Sequence, residues 1–192
     1  MGTVTGYRRK NGKVVAAMRT LISIVNLACL EPPSVPKGRH LEFQTGSGII
    51  ANMFTISRQF TFCYGHRLLR HCGKCANLHG HNGTVNIELR NDQLNPQGMV
   101  VDFIDVKNSL GKWIEETLDH RLILEERDPL VDLLRGQGEA VLALPVEPTA
   151  ENLAKLIYEQ AEQFGLPVCT VTVWETEKCA AEYRMQKLEC RS

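Results

Sequence analysis

Residues 54–91 read FTISRQFTFCYGHRLLRHCGKCANLHGHNGTVNIELRN, and this stretch decides the fold. In its first part, apolar residues alternate with polar ones at Phe54, Ile56, Phe60 and Phe62. The same alternation returns near its end at Val85, Ile87 and Leu89. A period of two is that of a half-buried β-strand, because successive side chains point to opposite faces of the sheet. The stretch therefore predicts two strands, joined by a connection that is rich in histidine and cysteine.

Helical periodicities follow further along the chain. Asp102 can cap a first helix, whose stripe recurs at three- and four-residue steps at Phe103, Val106, Leu110, Trp113, Ile114, Thr117 and Leu118. Thr149 can cap a second helix, with a buried stripe at Leu153, Leu156, Ile157, Ala161 and Phe164. Between them, residues 125–146 are interpreted as a lobe or loop with a short helix around residues 130–134 and an apolar piece, residues 141–144, that is left unplaced.

Two more strands are predicted towards the end of the chain, where alternation is found at Cys169, Val171 and Val173 and again at Ala181, Tyr183 and Met185. The order of elements is then strand, strand, helix, helix, strand, strand. This ββααββ order predicts an α+β domain with a four-stranded antiparallel sheet and two helices on one face. A chain of 192 residues is long enough for one such domain, which we assign to residues 53–192. Residues 1–52 are predicted to be a poorly ordered N-terminal extension, disordered or loosely helical, that ends in residues 31–38, whose prolines forbid regular structure.

The amino-acid composition limits the kinds of partner and the cellular compartment that can be expected. Twenty-two basic and 22 acidic residues balance, so no global field attracts the chain to nucleic acid or to a membrane surface. Seven cysteines at irregular spacing fit a reducing cytoplasm better than a secreted disulfide framework. Residues 14–30 could imitate a targeting signal, but Arg19 interrupts them and they are too short for a transmembrane helix. A cytoplasmic protein with a small-molecule partner is predicted.

Three histidines indicate a metal site. His79 and His81 open the second predicted strand two residues apart, so both imidazoles point to one face, and His66 ends the first strand as a third candidate ligand. Three histidine ligands leave one tetrahedral position of Zn²⁺ open, as in catalytic sites. Two alternatives remain: ordinary surface imidazoles, or a non-enzymatic zinc knuckle that uses Cys72 and Cys75 with His79 and His81 to support a binding surface. The short spacing from Cys75 to the histidines argues against the knuckle without excluding it.

Several short motifs, taken in order, resemble a known family. They are Gly-His-Arg-Leu (65–68), Cys-x-x-x-His-Gly-His (75–81), Gly-Met-Val-Val-Asp-Phe (98–103), Leu-Asp-His (118–120), Pro-Thr-Ala-Glu-Asn (148–152) and Glu-Thr (175–176). Over residues 54–185 this series is similar to the 6-pyruvoyltetrahydropterin synthase and 6-carboxytetrahydropterin synthase family. The resemblance implies a tunnelling fold, in which the sheets of several subunits join into a barrel with active sites at subunit interfaces. It also implies a homohexamer built as a dimer of trimers.

The resemblance also implies roles for individual residues. Members of the family bind zinc through three histidines, use a cysteine as catalytic base, assist proton transfer with an Asp-His pair and anchor the pterin ring on a glutamate. The matching residues here are His66, His79, His81, Cys75, Asp119, His120 and Glu175. Without the resemblance, Asp119 and His120 would be interpreted as a turn at a helix end, and Glu175 as an exposed strand end. Thr149 is interpreted first as a helix cap and second as a substrate contact.

The implied substrate is 7,8-dihydroneopterin triphosphate. The carboxy branch of the family cleaves its side chain to give 6-carboxy-5,6,7,8-tetrahydropterin on the route to queuosine, whereas the pyruvoyl branch keeps the carbons and releases triphosphate. Only three residues separate Cys75 from His79, which resembles the carboxy branch. Zinc would act as a Lewis acid on the side chain, and zinc and cationic neighbours would favour the thiolate of Cys75. Candidate cations for the triphosphate are Arg67, Lys74, Arg121 and Lys178.

Overall fold

The structure is a computed structural model that describes residues 52–185. In chain order its elements are β1 (Phe54–His66), β2 (His79–Asn91), α1 (residues 103–117), β3 (Arg121–Glu125), α2 (Leu130–Arg135), β4 (Val141–Leu144), α3 (Ala150–Gln163), β5 (Val168–Thr176) and β6 (Cys179–Tyr183). A single 3₁₀ turn, Lys74–Ala76, lies in the connection between β1 and β2. Residues 1–51 lie outside the described residues, so the poor order of the N-terminal extension stays a prediction.

The strands form one six-stranded sheet in the order β4-β3-β1-β2-β5-β6. The four predicted strands are present as the antiparallel series β1-β2-β5-β6. The prediction that the sheet contains only these four strands is wrong, because β3 pairs with β1 in parallel and β4 pairs with β3 in parallel. Both added strands are runs of five and four residues, RLILE and VLAL. Runs this short carry too little periodicity to be told from a loop or a buried helical turn.

Helices α1 and α3 cover one face of the sheet, as predicted. The buried residues of this layer come from both helices and from the inward-facing positions of the strands, and they include Phe62, Val85, Ile87, Leu89, Val106, Leu110, Ile114, Leu153, Ile157, Val171 and Val173. The two predicted caps are formed, since Asp102 accepts from the amide of Ile104 at 2.8 Å and Thr149 accepts from that of Asn152 at 3.4 Å. Within residues 52–185, no helix is both long and apolar enough to cross a lipid bilayer.

Helix α1 approaches β1 closely at a π-helical segment. This segment, Lys107–Gly111, lies between two α-helical pieces, Phe103–Val106 and Lys112–Thr117. At Gly111 an added Cβ would lie 2.6 Å from Cε1 of Phe60, so only glycine permits this contact without a shift of the ring. The close packing fixes α1 against the strand that carries the first candidate metal ligand.

A long antiparallel ladder between β1 and β2 sets the register of the site. Its last pairs are His66 with His79 and Tyr64 with His81. Side chains directly opposite each other in such a ladder point to the same face, and alternate residues along a strand do so as well. One face of the sheet therefore receives three imidazoles and one phenol at the end of the ladder.

A buried ion pair joins the segment that contains α2 to the end of β1. The guanidinium of Arg67 donates to the carboxylate of Asp128 through Nε at 2.6 Å and Nη2 at 2.5 Å. The Asp128 side chain is 0% exposed and that of Arg67 is 23% exposed. Burial acts to raise the pKa of Asp128, but the bonds from Arg67 and from the amide of Leu130 outweigh it and hold that pKa below the usual value. The pair therefore anchors this segment beside His66.

Replacing Arg67 by alanine should destabilise the protein by about 3 kcal/mol at pH 7, because it leaves a buried carboxylate without its counter-charge. A carboxyl group with a depressed pKa stabilises the fold above its unfolded pKa of ~3.9 and loses that contribution as pH falls through the folded value. In acid, the difference in the free energy of unfolding between the wild type and the variant should therefore become smaller. Urea denaturation at pH 7 and near pH 3 measures both effects. Lys155→Ala, which breaks an exposed pair with Glu159, serves as the control and should cost below about 0.5 kcal/mol.

Candidate functional site

Three imidazoles converge at the end of the β1–β2 ladder. One ring nitrogen from each of His66, His79 and His81 lies within 4.8 Å of the other two. The ring centroids are 4.5 to 5.0 Å apart. Among the described residues, these three histidines form the group of His, Cys, Asp or Glu side chains whose spacing suits a metal ion. Neither Cys72 nor Cys75 belongs to this group. The zinc-knuckle alternative is therefore not supported.

The hydrogen bonds of two histidines fix where their lone pairs point. Nδ1 of His66 lies 2.7 Å from the carbonyl oxygen of Pro148, and Nδ1 of His79 lies 2.8 Å from that of Asn77. A carbonyl oxygen only accepts, so both Nδ1 atoms carry the proton and both Nε2 atoms present a lone pair in the neutral ring. These two Nε2 atoms face each other at 3.1 Å. Two lone pairs at this distance repel unless a cation or a proton lies between them.

A metal ion satisfies this contact better than a shared proton does. Burial lowers the pKa of His66 to about 4, although the Pro148 carbonyl opposes the shift, so the ring is neutral at neutral pH. In tetrahedral coordination at Zn–N distances of ~2.0–2.1 Å, two ligand nitrogens are about 3.3 Å apart, close to the separation of the two Nε2 atoms. The geometry and the donor set therefore fit a metal ion such as Zn²⁺.

His81 supports the same conclusion. Its Nε2 atom is buried and has no hydrogen-bond partner among residues 52–185. Burial lowers the pKa of this imidazole as well, against the opposing influence of Glu175. A buried nitrogen without a partner is costly, and its lone pair would be satisfied by a bound cation.

Glu175 lies beside the three histidines, near the end of β5. Its Oε1 atom is 3.8 Å from Nε2 of His66, and its side chain is 23% exposed. The hydroxyl of Tyr64 donates to the same oxygen at 3.1 Å. Sequence reasoning assigned no role to Tyr64, whose only signal is its inward position on β1, two residues before His66. Glu175 is thus a partly open carboxylate that is held at one oxygen.

Cys75 is a half-buried free thiol in the 3₁₀ turn of the β1–β2 connection. The backbone of this connection is folded back on itself, since the amide of Leu68 donates to the Cys75 carbonyl at 2.8 Å. The carboxylate of Glu147 accepts from the amides of Leu69 at 2.9 Å and Arg70 at 3.0 Å. Glu147 therefore fixes the loop that leads from the first candidate metal ligand, His66, to Cys75, a role that sequence reasoning missed.

Asp119 and His120 form a pair between α1 and β3. Nδ1 of His120 lies 2.7 Å from Oδ2 of Asp119, whose Oδ1 accepts from the amide of Cys63 at 2.7 Å. His120 has φ of 55°, a left-handed conformation that is uncommon for a residue other than glycine. Its amide donates to the Cys63 carbonyl at 2.6 Å. Within residues 52–185, no hydrogen bond or ion pair joins this pair to Cys75 or to the three histidines. Thr149 lies at the start of α3 and acts as its cap.

Known proteins are similar in sequence to this chain. The family model described as 6-pyruvoyl tetrahydropterin synthase matches residues 55–186. A protein from Aquifex aeolicus named 6-carboxy-5,6,7,8-tetrahydropterin synthase is 37% identical, with 67% of this chain and 96% of that protein covered. A protein of the same name from Haemophilus influenzae is 32% identical, with 69% and 99% covered. A Halobacterium salinarum protein named as a probable enzyme of this kind is 41% identical, with 61% and 77% covered.

Solved structures agree with the sequence matches. An uncharacterized protein from Wolinella succinogenes has a TM-score of 0.61 and 28% identity, with 70% of this chain and 99% of that chain covered. The 6-pyruvoyl tetrahydropterin synthase of Caenorhabditis elegans has a TM-score of 0.53 and 25% identity, with 71% and 98% covered. The prediction of an enzyme related to these synthases, with the carboxy branch preferred, is confirmed, and the chain belongs to the 6-pyruvoyl tetrahydropterin synthase family.

Proposed function

We propose that this chain is a zinc-dependent lyase that converts 7,8-dihydroneopterin triphosphate to 6-carboxy-5,6,7,8-tetrahydropterin. The observation that carries the proposal is the pair of Nε2 lone pairs of His66 and His79 that face each other at 3.1 Å, next to the unpartnered Nε2 of His81. Three protein ligands leave a tetrahedral zinc site open to substrate. His66, His79 and His81 would hold the zinc, which would supply a Lewis acid for a side-chain oxygen of the substrate.

Glu175 is proposed to bind the pterin ring. A carboxylate can accept two parallel hydrogen bonds, which matches the ring N–H and the exocyclic amine of a pterin. The position of Glu175 at the edge of the three histidines would place the side chain of a bound pterin towards the metal site. Recognition of the ring and activation of its side chain would then take place in one pocket. Thr149 would contribute through the start of α3 rather than by contact with the ring.

Cys75 is proposed as the base, with its thiolate removing the proton from the substrate side chain. His120 would return or relay protons, and Asp119 fixes its ring by accepting from Nδ1 at 2.7 Å. In the described part of one chain, no hydrogen bond or ion pair joins Asp119 and His120 to Cys75. A homohexameric tunnelling fold, with two trimers and active sites at subunit interfaces, would bring the groups together from neighbouring subunits.

Triphosphate requires cations, and the structure changes the set of candidates. The charge of the Arg67 guanidinium is already paired with the Asp128 carboxylate through Nε and Nη2, so Arg67 is withdrawn from the set. Lys74 and Lys178 have exposed side chains and remain candidates. Arg121 donates to the carbonyl of Glu116 at 2.9 Å, which leaves most of its donors available.

The cytoplasm is the proposed compartment. Cys72, Cys75, Cys169 and Cys179 are free thiols, as expected in a reducing environment. No nucleic-acid or membrane partner is proposed, since acidic and basic residues are equal in number.

The deciding experiment is to incubate the zinc-loaded protein with 7,8-dihydroneopterin triphosphate and identify the products by mass spectrometry. We expect 6-carboxy-5,6,7,8-tetrahydropterin, triphosphate and acetaldehyde, the last measured by reduction with alcohol dehydrogenase and NADH. Release of triphosphate with a 6-pyruvoyl product and no acetaldehyde would assign the pyruvoyl branch instead. Absence of turnover by the zinc-loaded protein would refute both assignments. A metal-free preparation serves as the control.

A further inference from the structure

Tyr64 is a buried phenol beside the proposed site. It is 1% exposed, and its ring lies 5.1 Å from the ring of His66 and 5.7 Å from that of His81, centroid to centroid. An added Cβ at Gly83 would lie 3.1 Å from Cε1 of Tyr64, so the neighbouring strand leaves just enough room for the ring. The phenol is thus fixed in place by packing on several sides.

The hydroxyl of Tyr64 acts only as a donor. A buried tyrosine hydroxyl needs a partner, and here it donates to Oε1 of Glu175 at 3.1 Å. Burial, followed by the negative charge of Glu175, raises the pKa of Tyr64 far above its usual value. The geometry of this bond therefore makes the phenol a hydrogen-bond donor to the Glu175 carboxylate.

Glu175 needs such a donor to be oriented. The last torsion of a glutamate side chain joins an sp³ to an sp² carbon and has a broad energy profile, so rotamer preference alone does not fix the plane of the carboxylate. The ring of Tyr64 is held by packing, and its hydroxyl bonds one carboxylate oxygen. The bond therefore restricts rotation of the carboxylate and leaves Oε2 and the second lone pair of Oε1 open.

We propose that Tyr64 is a positioning residue, whose hydroxyl sets the plane of the Glu175 carboxylate so that it can accept two parallel hydrogen bonds from a pterin ring. This inference rests on the proposed function, in which Glu175 binds the pterin. Tyr64 acts through Glu175 and does not take part in the reaction itself.

The test replaces Tyr64 by phenylalanine in the full-length, zinc-loaded protein, which removes the hydroxyl and keeps the ring. We expect KM for 7,8-dihydroneopterin triphosphate to rise about tenfold, as for loss of a hydrogen bond to a charged group, with kcat within about twofold and zinc content unchanged. Tyr158→Phe is the matched control, because Tyr158 is also buried but donates to the carbonyl of Val168 at 3.2 Å, away from the site. It should leave KM unchanged.

A double-mutant cycle with Glu175→Gln distinguishes positioning from packing. If Tyr64 acts through Glu175, the tenfold effect of Tyr64→Phe on KM should shrink to below about twofold in the Glu175→Gln background. Equal effects in both backgrounds, an unchanged KM in the single variant, or a loss confined to kcat would each overturn the proposal.

Direct binding separates this inference from the proposed function. The dissociation constant for 7,8-dihydroneopterin, which has the ring without the triphosphate, can be measured by fluorescence titration. Binding that weakens about tenfold in Tyr64→Phe would support the inference even if the wild type turned over no triphosphate substrate, which would refute only the proposed reaction. A wild type that binds no pterin would overturn both.

Discussion

Replacement of Cys75 by alanine is expected to lower kcat by about 10³-fold while the protein keeps its zinc, because a positioned general base contributes ~10²–10⁴ to the rate. The three imidazoles, and not the thiol, have metal-binding spacing, so removal of the sulfur should leave the metal site intact. Turnover of 7,8-dihydroneopterin triphosphate and zinc content by atomic emission measure the two effects separately.

The control for this variant is Cys179→Ala, which removes an exposed thiol at the start of β6. It should change neither kcat nor zinc content. Loss of zinc from Cys75→Ala would mean that the thiol is a ligand and would restore the zinc-knuckle alternative. Retention of full turnover would remove Cys75 from the reaction.

Replacement of His81 by alanine is expected to release the metal and, with it, the activity. Changes to groups that only orient a ligand already cost ~10–100-fold in metal affinity, so loss of a ligand itself should cost more than about 100-fold. The polypeptide should stay folded, since the strands that carry the histidines are supported by an apolar core and not by the metal. Competition with a chromogenic chelator measures zinc affinity, and circular dichroism checks the fold.

His71→Ala is the matched control, because His71 is an exposed histidine of the same connection whose Nδ1 accepts from the amide of Gly73 at 2.8 Å. Its zinc affinity should equal that of the wild type. If His81→Ala bound zinc as tightly as the wild type, the three-histidine site would be excluded. Unfolding of the variant without metal would instead indicate a structural zinc.

The fold could be predicted where the sequence pattern is long. The 13-residue strands β1 and β2 and the 14-residue helix α3 show their periods over several repeats. The parallel strands β3 and β4 could not be predicted, because four or five residues do not establish a period. Their pairing also depends on a crossover through α2, and a parallel partner that is distant in sequence leaves no local signal.

The convergence of the three histidines could be predicted for a similar reason. His79 and His81 share a face by strand geometry alone, and the ladder register then places His66 opposite His79. The groups that orient the site gave no signal in the sequence. Pro148 acts through a backbone carbonyl, which no side chain marks, and Tyr64 meets Glu175 across 111 positions of the chain. Such contacts become visible only when the sheet is assembled.

Residues 147–149 perform three tasks in direct succession. The Glu147 carboxylate binds the backbone of the loop before Cys75, the Pro148 carbonyl orients His66, and Thr149 begins α3. The connections between β3, α2 and β4 can lengthen or shorten during evolution, provided that the Arg67–Asp128 pair is kept and that this tripeptide reaches the same place. Insertions and deletions should therefore accumulate before Glu147 and not within residues 147–149. One residue added or removed there would break the contacts with the loop before Cys75, with His66 and with the start of α3 at once.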